Sequence, residues 1–500
     1  MRLRDSRPLV SGWIRRLATL AEALGHNPVT VEDEAGLMSA LSRLVDARDR
    51  SQIWLALAVL TGRLPESSLV QETARRAEFD PAALFEAIRS ETTAESIRWT
   101  VVVEQAAVLV DVSDTVSTTM TTGIQRVVRE VAKRWLTRPG VRFVAWTDGW
   151  QAMRELEPDE LARVRDGRAR VGEDPPRVGT TVVVPWETIF VLPEVSAELS
   201  RAARLRSLGR FGRTQCTAIC YDLIPVTSSE TLIATGLTGA FAHYLSALKF
   251  FTRVCTISQA TAIEYNGWRV MLRGAGLVGP DVVPVLLPTS AGGSSPSDLD
   301  AARERLVVGT MPLVLVVGSH EPRKNHLAVL HAAELLWREG RRFSLCFIGG
   351  NAWRSEEFHE RLGALQAAGR PVESISRAGD SLLWAAYRVA RFTVFPSINE
   401  GFGLPVAESL AVGTPVITSE FGSTREIAES GGAMLVDPRD DDQITRAMRA
   451  LLSDDDILER LRDEAHARPT RTWDDYADLA WAALVPDGGP LPRSSDSLRV

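Results

Sequence analysis

Apolar positions along this chain change their spacing more than once, and each change marks a boundary. From about residue 8 to 97 they recur every three or four residues, the period of helices that bury one face. Helix starts fall at Pro65-Glu-Ser-Ser and at Asp80-Pro81, so residues 1–98 read as a small helical bundle. From about 105 to 290 short apolar runs (106–112, 141–146, 181–184, 217–220, 254–257) alternate with helical stretches, which predicts a parallel sheet with helices on both faces. The stretch Pro288-Thr-Ser-Ala-Gly-Gly-Ser-Ser-Pro-Ser297 has the composition of a hinge. A second alternating set follows over 305–470, with strands predicted at 313–317, 344–348, 392–395 and 416–418, then a closing helix over 471–485 and a disordered tail over 486–500. The fold class is therefore α/β: two doubly wound domains facing across a cleft, with an all-helical extension in front. Ligands of such sheets sit outside the carboxyl ends of the strands.

Composition narrows the picture. A chain of 500 residues can bury large cores, and its formal charge of −7 supplies no basic field for nucleic acid. Cys216, Cys220, Cys255 and Cys346 lie in apolar runs without Cys-x-x-Cys spacing, as expected of reduced core thiols in a cytoplasmic protein. Arg15, Arg16 and Glu22 interrupt any signal-peptide core after the basic start, and the apolar run 53–60 is far shorter than the roughly 18 residues of a membrane span.

The candidate chemistry centres on Asn399-Glu-Gly-Phe-Gly-Leu-Pro-Val-Ala-Glu-Ser-Leu-Ala-Val-Gly413. Pro405 suits the first turn of a helix and Gly413 the left-handed residue that follows one, so a short helix over 405–412 is predicted. Gly401 and Gly403 leave N–H groups uncovered at its positive end, a place for phosphate. Glu400 and Glu408 would instead accept hydrogen bonds from paired hydroxyls, of a sugar and of a ribose. A nucleotide sugar satisfies both demands.

With these residues the sequence resembles the retaining GT-B glycosyltransferases of glycosyltransferase family 4, whose hallmark is Glu, seven residues, Glu. Val316-Val-Gly-Ser-His-Glu-Pro-Arg-Lys-Asn-His326 is similar to the family's first strand and loop of the Rossmann-like donor domain, and Phe395-Pro-Ser-Ile-Asn-Glu-Gly-Phe-Gly-Leu-Pro405 to its donor-sugar loop. The likeness continues through Thr414-Pro-Val-Ile-Thr-Ser, Asp437-Pro and the Trp473 segment; it is strong over about 311–484 and weaker over 105–290. It implies Arg323 and Lys324 on the diphosphate, Glu408 on the ribose, and Glu400 with Gly401, Phe402, Gly403 and Leu404 on the donor sugar. Gly318, Ser319 and His320 would line the phosphate loop. Gly123 and Ile124, in Thr121-Thr-Gly-Ile-Gln-Arg126, would approach the diphosphate from the acceptor domain. In Cys220-Tyr-Asp-Leu-Ile-Pro225, Tyr221 replaces a histidine common in relatives, while Asp222 is equally a catalytic or acceptor-orienting carboxylate and a turn cap. Ser258 resembles a cleft-edge serine and also suits a helix cap.

Other features are blander. Apart from His326 and His331, which bracket a helix start, no histidines pair at ligand spacing beside carboxylates, so no metal is expected, and the acidic runs 440–442 and 454–456 precede helices they can cap. Arg201, Arg204, Arg206, Arg210 and Arg213 are either a solvated helix face or a membrane-facing patch drawn to anionic lipid. The resemblance implies transfer of a hexose, mannose as first guess, from a nucleoside-diphosphate sugar to a glycan or lipid-linked glycan in surface polysaccharide synthesis. The nucleotide sugar is a co-substrate; no cofactor or metal is called for, and the place of action would be the cytoplasm or its membrane face. Two rivals are an inactive nucleotide-sugar-binding scaffold, suggested by Tyr221, and a pyridoxal-dependent phosphorylase, for which Lys249 and Lys324 are the lysines near candidate loops.

Overall fold

The computed structural model describes residues 7–117, 123–166, 180–231, 236–307 and 309–486, so Thr121, Thr122 and the tail from 487 lie outside the described residues. Two sheets carry the chain. The first contains β1 (Thr100–Glu104), β2 (Val108–Asp111), β3 (Val141–Trp146), β4 (Met153–Glu155), β5 (Thr181–Pro185), β6 (Ile189–Leu192), β7 (Gln215–Cys220), β8 (Arg253–Thr256) and β9 (Asp281–Pro284). Its order is β1-β5-β4-β3-β2-β6-β7-β8-β9, parallel except for β4, which runs antiparallel to β3 and β5. The second contains β10 (Leu313–Val317), β11 (Ser344–Ile348), β12 (Val372–Ile375), β13 (Phe392–Phe395), β14 (Val416–Ser419) and β15 (Ala433–Val436), in the all-parallel order β12-β11-β10-β13-β14-β15. In each sheet the order reverses beside the first strand of the doubly wound set, β2 and β10, so the loops leaving those strands reach the crevice where ligands bind.

The N-terminal bundle is a layer of the first domain. The helix Arg50–Thr61 is capped by Asp49 and ended by the left-handed Gly62, and Ile53 through Thr61 are all buried. A helix apolar on every side must be enclosed on every side. Other bundle helices cover part of it, and Trp54 stacks on Trp186, 6.5 Å between ring centroids, beyond the end of β5. Leu55, Leu57 and Leu60 share one apolar cluster with Phe190, Leu205 and Leu208; each such burial contributes roughly 1.5–3 kcal/mol. Arg16 is fixed inside, donating to the carbonyls of Leu60, Ser96 and Trp99. Burial, with Arg15 nearby, lowers its guanidinium to about 10. The four cysteines are buried and none is in a disulfide. Among the described residues no helix is long and apolar enough to cross a membrane.

The arginine-rich segment forms the helix Leu199–Phe211 with Arg213 beyond its end, and its first two arginines, Arg201 and Arg204, are buried and not on a surface, whereas Arg206 and Arg210 are half-buried and Arg213 is exposed. Arg201 is wholly buried, within 3.1–3.2 Å of Asp111, Asp114 and Glu194, and Arg204 is buried against Glu66 at 3.2 Å. Arg213 pairs with Asp49 and Glu187. Sequence spacing could not show that the complementary acids arrive from β2, the loop after β6 and the bundle. With Glu198 also near, four carboxylates share Arg201. Burial and the neighbouring Asp114 push Glu194 up to about 8, although Arg201 opposes the shift, and Asp114 is raised for the same first reason.

A carboxyl raised in the folded state stabilises the protein below its unfolded pKa and loses that contribution as pH rises through the folded value. Stability should fall between about pH 4.5 and pH 8 on account of Glu194. Thermal unfolding across that window should show the decline, and Glu194→Gln should flatten it; an unchanged slope would assign the titration elsewhere. Arg201→Ala should cost about 3–5 kcal/mol by stranding the carboxylates.

Candidate functional site

The loop after β10 is shaped by a close crossing of two backbones. Gly318 has φ +147°, its N–H bonds to the Ile348 carbonyl at 3.0 Å, and a Cβ placed on Gly349 would lie 1.9 Å from the Gly318 oxygen. Gly349 therefore has to be glycine, a requirement the sequence reading did not single out. Pro322, Arg323 and Lys324 then make one tight turn, ended by Asn325 at φ +57°. Ser319 Oγ and an Arg323 nitrogen both donate to Glu321 Oε1, at 3.0 and 2.8 Å, which steadies the turn from within.

That turn delivers both cations to Glu400. Lys324 Nζ lies 2.6 Å and Arg323 Nη1 2.8 Å from Glu400 Oε1, and Ser397 Oγ donates to the same oxygen at 2.6 Å. The Lys324 ammonium also sits 4.9 Å from the Phe395 ring centre. Burial would raise the Glu400 carboxyl, but Lys324 and Arg323 outweigh it and hold the group at about 2. All these contacts fall on Oε1, so Oε2 takes part in none of them.

The glutamate motif folds as predicted from its punctuation. Gly403 at φ +103° turns the chain into the helix Leu404–Ala411, with Pro405 in its first turn, and Gly413 at φ +81° follows its end. Glu408 is buried in that helix. Its two oxygens are taken by Arg126 Nη1 at 2.6 Å and the Tyr387 hydroxyl at 2.9 Å. Arg126 lies on the helix Gly123–Trp135 of the first domain, so Glu408 ties the domains together. The signal for Arg126 in the sequence is a cation one turn beyond Gly123. Nothing in the sequence pointed to Tyr387.

Across the cleft, a Cβ on Gly123 would lie 3.7 Å from Leu404, which brings the two proposed donor loops face to face. Ile124 packs at the edge of the apolar cluster that joins Phe402 to Ile257 and Val285 across the domain boundary. Gly401 meets Asp222: a Cβ there would be 3.1 Å from Asp222 Cβ and 3.2 Å from Oδ2. Burial raises the Asp222 carboxyl against the pull of Arg323, and its other oxygen accepts from the Ile224 N–H at 3.2 Å, so the carboxyl caps its turn while lying against Gly401. Ser258 likewise serves twice, capping the helix Gln259–Gly274 through Thr261 N–H and donating to the Gly401 carbonyl at 2.6 Å.

Two placements correct the sequence reading. Tyr221 does not face an acceptor: it is buried, its hydroxyl donates to the Pro193 carbonyl at 2.8 Å, and it lies 3.5 Å from the Ile124 carbonyl. It supports the Gly123–Ile124 helix start from below. His320 is 2% exposed, with Asn351 and Ser374 on its two ring nitrogens at 3.2 and 3.3 Å and Phe358 against its ring. It backs the phosphate loop from inside the second domain instead of lining the cleft. Residues that the sequence reading missed also join the domains: Asn399 donates to Ser228 at 3.0 Å, and Glu426 accepts from the N–H groups of Gln259 and Ala260 at 2.9 and 3.1 Å. Among the described residues no group of three His, Cys, Asp or Glu side chains could hold a metal ion.

The crossing at Gly349 gives a direct test. Gly349→Ala should lower the unfolding temperature, since overpacking against fixed backbone costs roughly 1–3 kcal/mol. Gly350→Ala, whose Cβ would find its nearest neighbour at 3.8 Å, should be near neutral. Equal unfolding temperatures for the two variants would contradict the close approach.

The comparisons with known proteins fall on the same elements. Residues 300–468 match the family described as glycosyl transferases group 1. The serotype-specific mannosyltransferase WbdA of Escherichia coli is 27% identical over 343 residues, covering 64% of this chain and 40% of that protein. The O-antigen chain mannosyltransferase B of Escherichia coli is 31% identical over 162 residues, 32% of this chain and 42% of the relative. The chain thus spans about two fifths of the length of these curated relatives. Among solved structures, Anabaena HepE in complex with UDP and glucose superposes with a TM-score of 0.51 at 14% identity, covering 76% of this chain and 96% of that one. Sucrose-phosphate synthase from Thermosynechococcus elongatus gives a TM-score of 0.51 at 17% identity over 75% and 97%. Residues 300–468 thus match the glycosyl transferases group 1 family, in a chain whose two-sheet fold is similar to that of GT-B glycosyltransferases.

Proposed function

We propose that this chain is a retaining hexosyltransferase that moves mannose from a nucleoside-diphosphate sugar, GDP-mannose first among them, to a hydroxyl of a glycan or lipid-linked glycan in surface polysaccharide synthesis. The observation that carries the reading is the convergence of Arg323 and Lys324 on Glu400 at the carboxyl end of β10, opposite Gly123. Two preorganised cations in a recess that excludes water can take up the charge that grows on a departing diphosphate, and this scheme asks for no metal. Relatedness to the two Escherichia coli mannosyltransferases supports the sugar and the polysaccharide setting.

In this scheme the diphosphate lies against Arg323 and Lys324, Glu408 exchanges Arg126 for the ribose hydroxyls, and Glu400 Oε2 accepts from a hydroxyl of the donor sugar. The bond from the anomeric carbon to the diphosphate oxygen breaks while the acceptor oxygen bonds to that carbon from the same face. The acceptor proton passes to the departing diphosphate oxygen, and configuration is retained. Asp222, beside Gly401, orients the acceptor. The scaffold alternative arose from Tyr221, and the bond of that hydroxyl to Pro193 gives it a supporting role compatible with catalysis.

Donor hydrolysis across GDP-, UDP-, ADP- and dTDP-sugars tests the proposal. One donor should be turned over, with the rate unchanged by EDTA. Arg323→Ala should reduce turnover by roughly 10²- to 10³-fold, the usual effect of removing one transition-state donor, and Glu408→Ala should weaken nucleotide binding. Nucleotide binding without turnover, with glycan acceptors present, would establish the scaffold instead.

A further inference from the structure

The helix Asp380–Val389 lies outside every motif of the sequence, yet three of its side chains reach other parts of the chain. Arg388 donates to the Gly292 carbonyl at 2.6 Å and to the Ser294 hydroxyl at 2.9 Å, both in the linker between the domains. A Cβ on Gly292 would collide with the Trp384 indole, so linker and helix are in direct contact. Tyr387 is wholly buried, and its hydroxyl donates to Glu408 Oε2 at 2.9 Å. The Tyr387 carbonyl accepts from the Thr414 hydroxyl at 2.7 Å, just past the end of the helix that carries Glu408. The phenol is thus anchored independently of the carboxylate it serves.

The two partners of Glu408 differ in kind. Arg126 reaches Oε1 from the first domain, and its side chain is 38% exposed against 9% for Glu408. Tyr387 belongs to the same domain as Glu408 and is fully enclosed. Burial and the neighbouring Glu408 charge hold its phenol well above the ordinary tyrosine range, so it remains a donor. A donor fixed on Oε2 sets the rotation of the carboxylate, and being neutral it leaves intact the negative charge that a hydroxyl donor seeks. Arg126 is therefore the exchangeable partner and Tyr387 the permanent one. A ligand that displaces Arg126 meets Oε1 already turned towards the first domain, and ordering completed before the ligand arrives costs no binding energy.

We propose that Tyr387 is a positioning residue for nucleotide recognition: by holding Glu408 Oε2 it leaves Oε1 aimed at the ribose hydroxyls of a nucleoside diphosphate. This role rests on the reading of the cleft as a nucleotide-sugar site, in which Glu408 takes the ribose. It adds the group that makes this carboxylate selective for a sugar bearing its hydroxyls. Tyr387→Phe keeps the ring and its packing but removes the donor, which leaves one carboxylate oxygen buried without a partner and frees the group to rotate. A nucleotide with ribose hydroxyls then loses a preset acceptor, whereas one without them loses nothing.

The test is calorimetric titration of the full chain with GDP, UDP and ADP, and with the 2′,3′-dideoxy form of whichever binds most tightly, alongside unfolding temperatures. The native protein should prefer the hydroxylated nucleotide by about tenfold or more. Glu408→Ala should abolish that preference, and Tyr387→Phe should cut it severalfold by weakening the hydroxylated nucleotide alone. Thr414→Val removes the bond to the Tyr387 carbonyl; it should lower the unfolding temperature and leave the preference in place, which separates positioning from packing. A preference kept in Tyr387→Phe, an equal loss for both nucleotides, or the same effect in Thr414→Val would overturn the role of Tyr387 and leave the nucleotide-sugar reading standing. A native protein that binds no nucleotide, or binds both forms equally, would overturn that reading and the role of Tyr387 with it.

Discussion

A carboxylate withdrawn from water beside two cations organises this molecule. Glu400 can remain ionised in its recess only because Arg323 and Lys324 reach it at 2.8 and 2.6 Å, and those two reach it only because the chain turns tightly after β10. The turn in turn requires the backbone crossing of Gly318 and Gly349, with Glu321 fixed between Ser319 and Arg323. Removal of Glu400 leaves the buried Lys324 ammonium without its carboxylate, a loss of several kcal/mol. The arrangement concentrates positive charge at a strand end, and a stronger anion than one carboxylate can compete for it.

The second dependence runs between the domains. Gly401 accepts from Ser258 and Thr261, Glu426 caps the helix that Ser258 begins, and Asn399 reaches Ser228. Glu408 holds Arg126, whose guanidinium also lies 5.8 Å from the Trp473 ring. The helix Trp473–Leu484 belongs by sequence to the second domain but packs on the first, with Trp135 donating to the Ala477 carbonyl at 3.0 Å. Most of these bonds arise in the very loops that would hold a donor, so domain closure and ligand contact draw on the same groups. The Arg126–Glu408 pair is where they compete most directly.

Much of this was legible in the sequence, for identifiable reasons. Buried parallel strands read as short unbroken apolar runs, and β3, β10, β11 and β13 fall where such runs predict them. Glycine and proline at 403, 405 and 413 set the helix of the glutamate motif to within one residue. Other elements left weaker traces. β4 is three residues long and antiparallel, and β12 is half-covered, so neither makes a distinctive run. The bundle has a helical period of its own, but the period does not say that its apolar faces close over the first sheet. Long-range pairing is the general obstacle: Arg201, Arg126, His320 and Tyr221 each took their role from partners tens to hundreds of residues away.

A crystal structure of the protein with a bound nucleoside diphosphate tests the central claim most directly. The account predicts the diphosphate against Arg323 and Lys324 facing Gly123, and the ribose hydroxyls on Glu408 with Arg126 displaced. A nucleotide bound elsewhere, or one that leaves the Arg126–Glu408 pair intact and both cations wholly on Glu400, would contradict it.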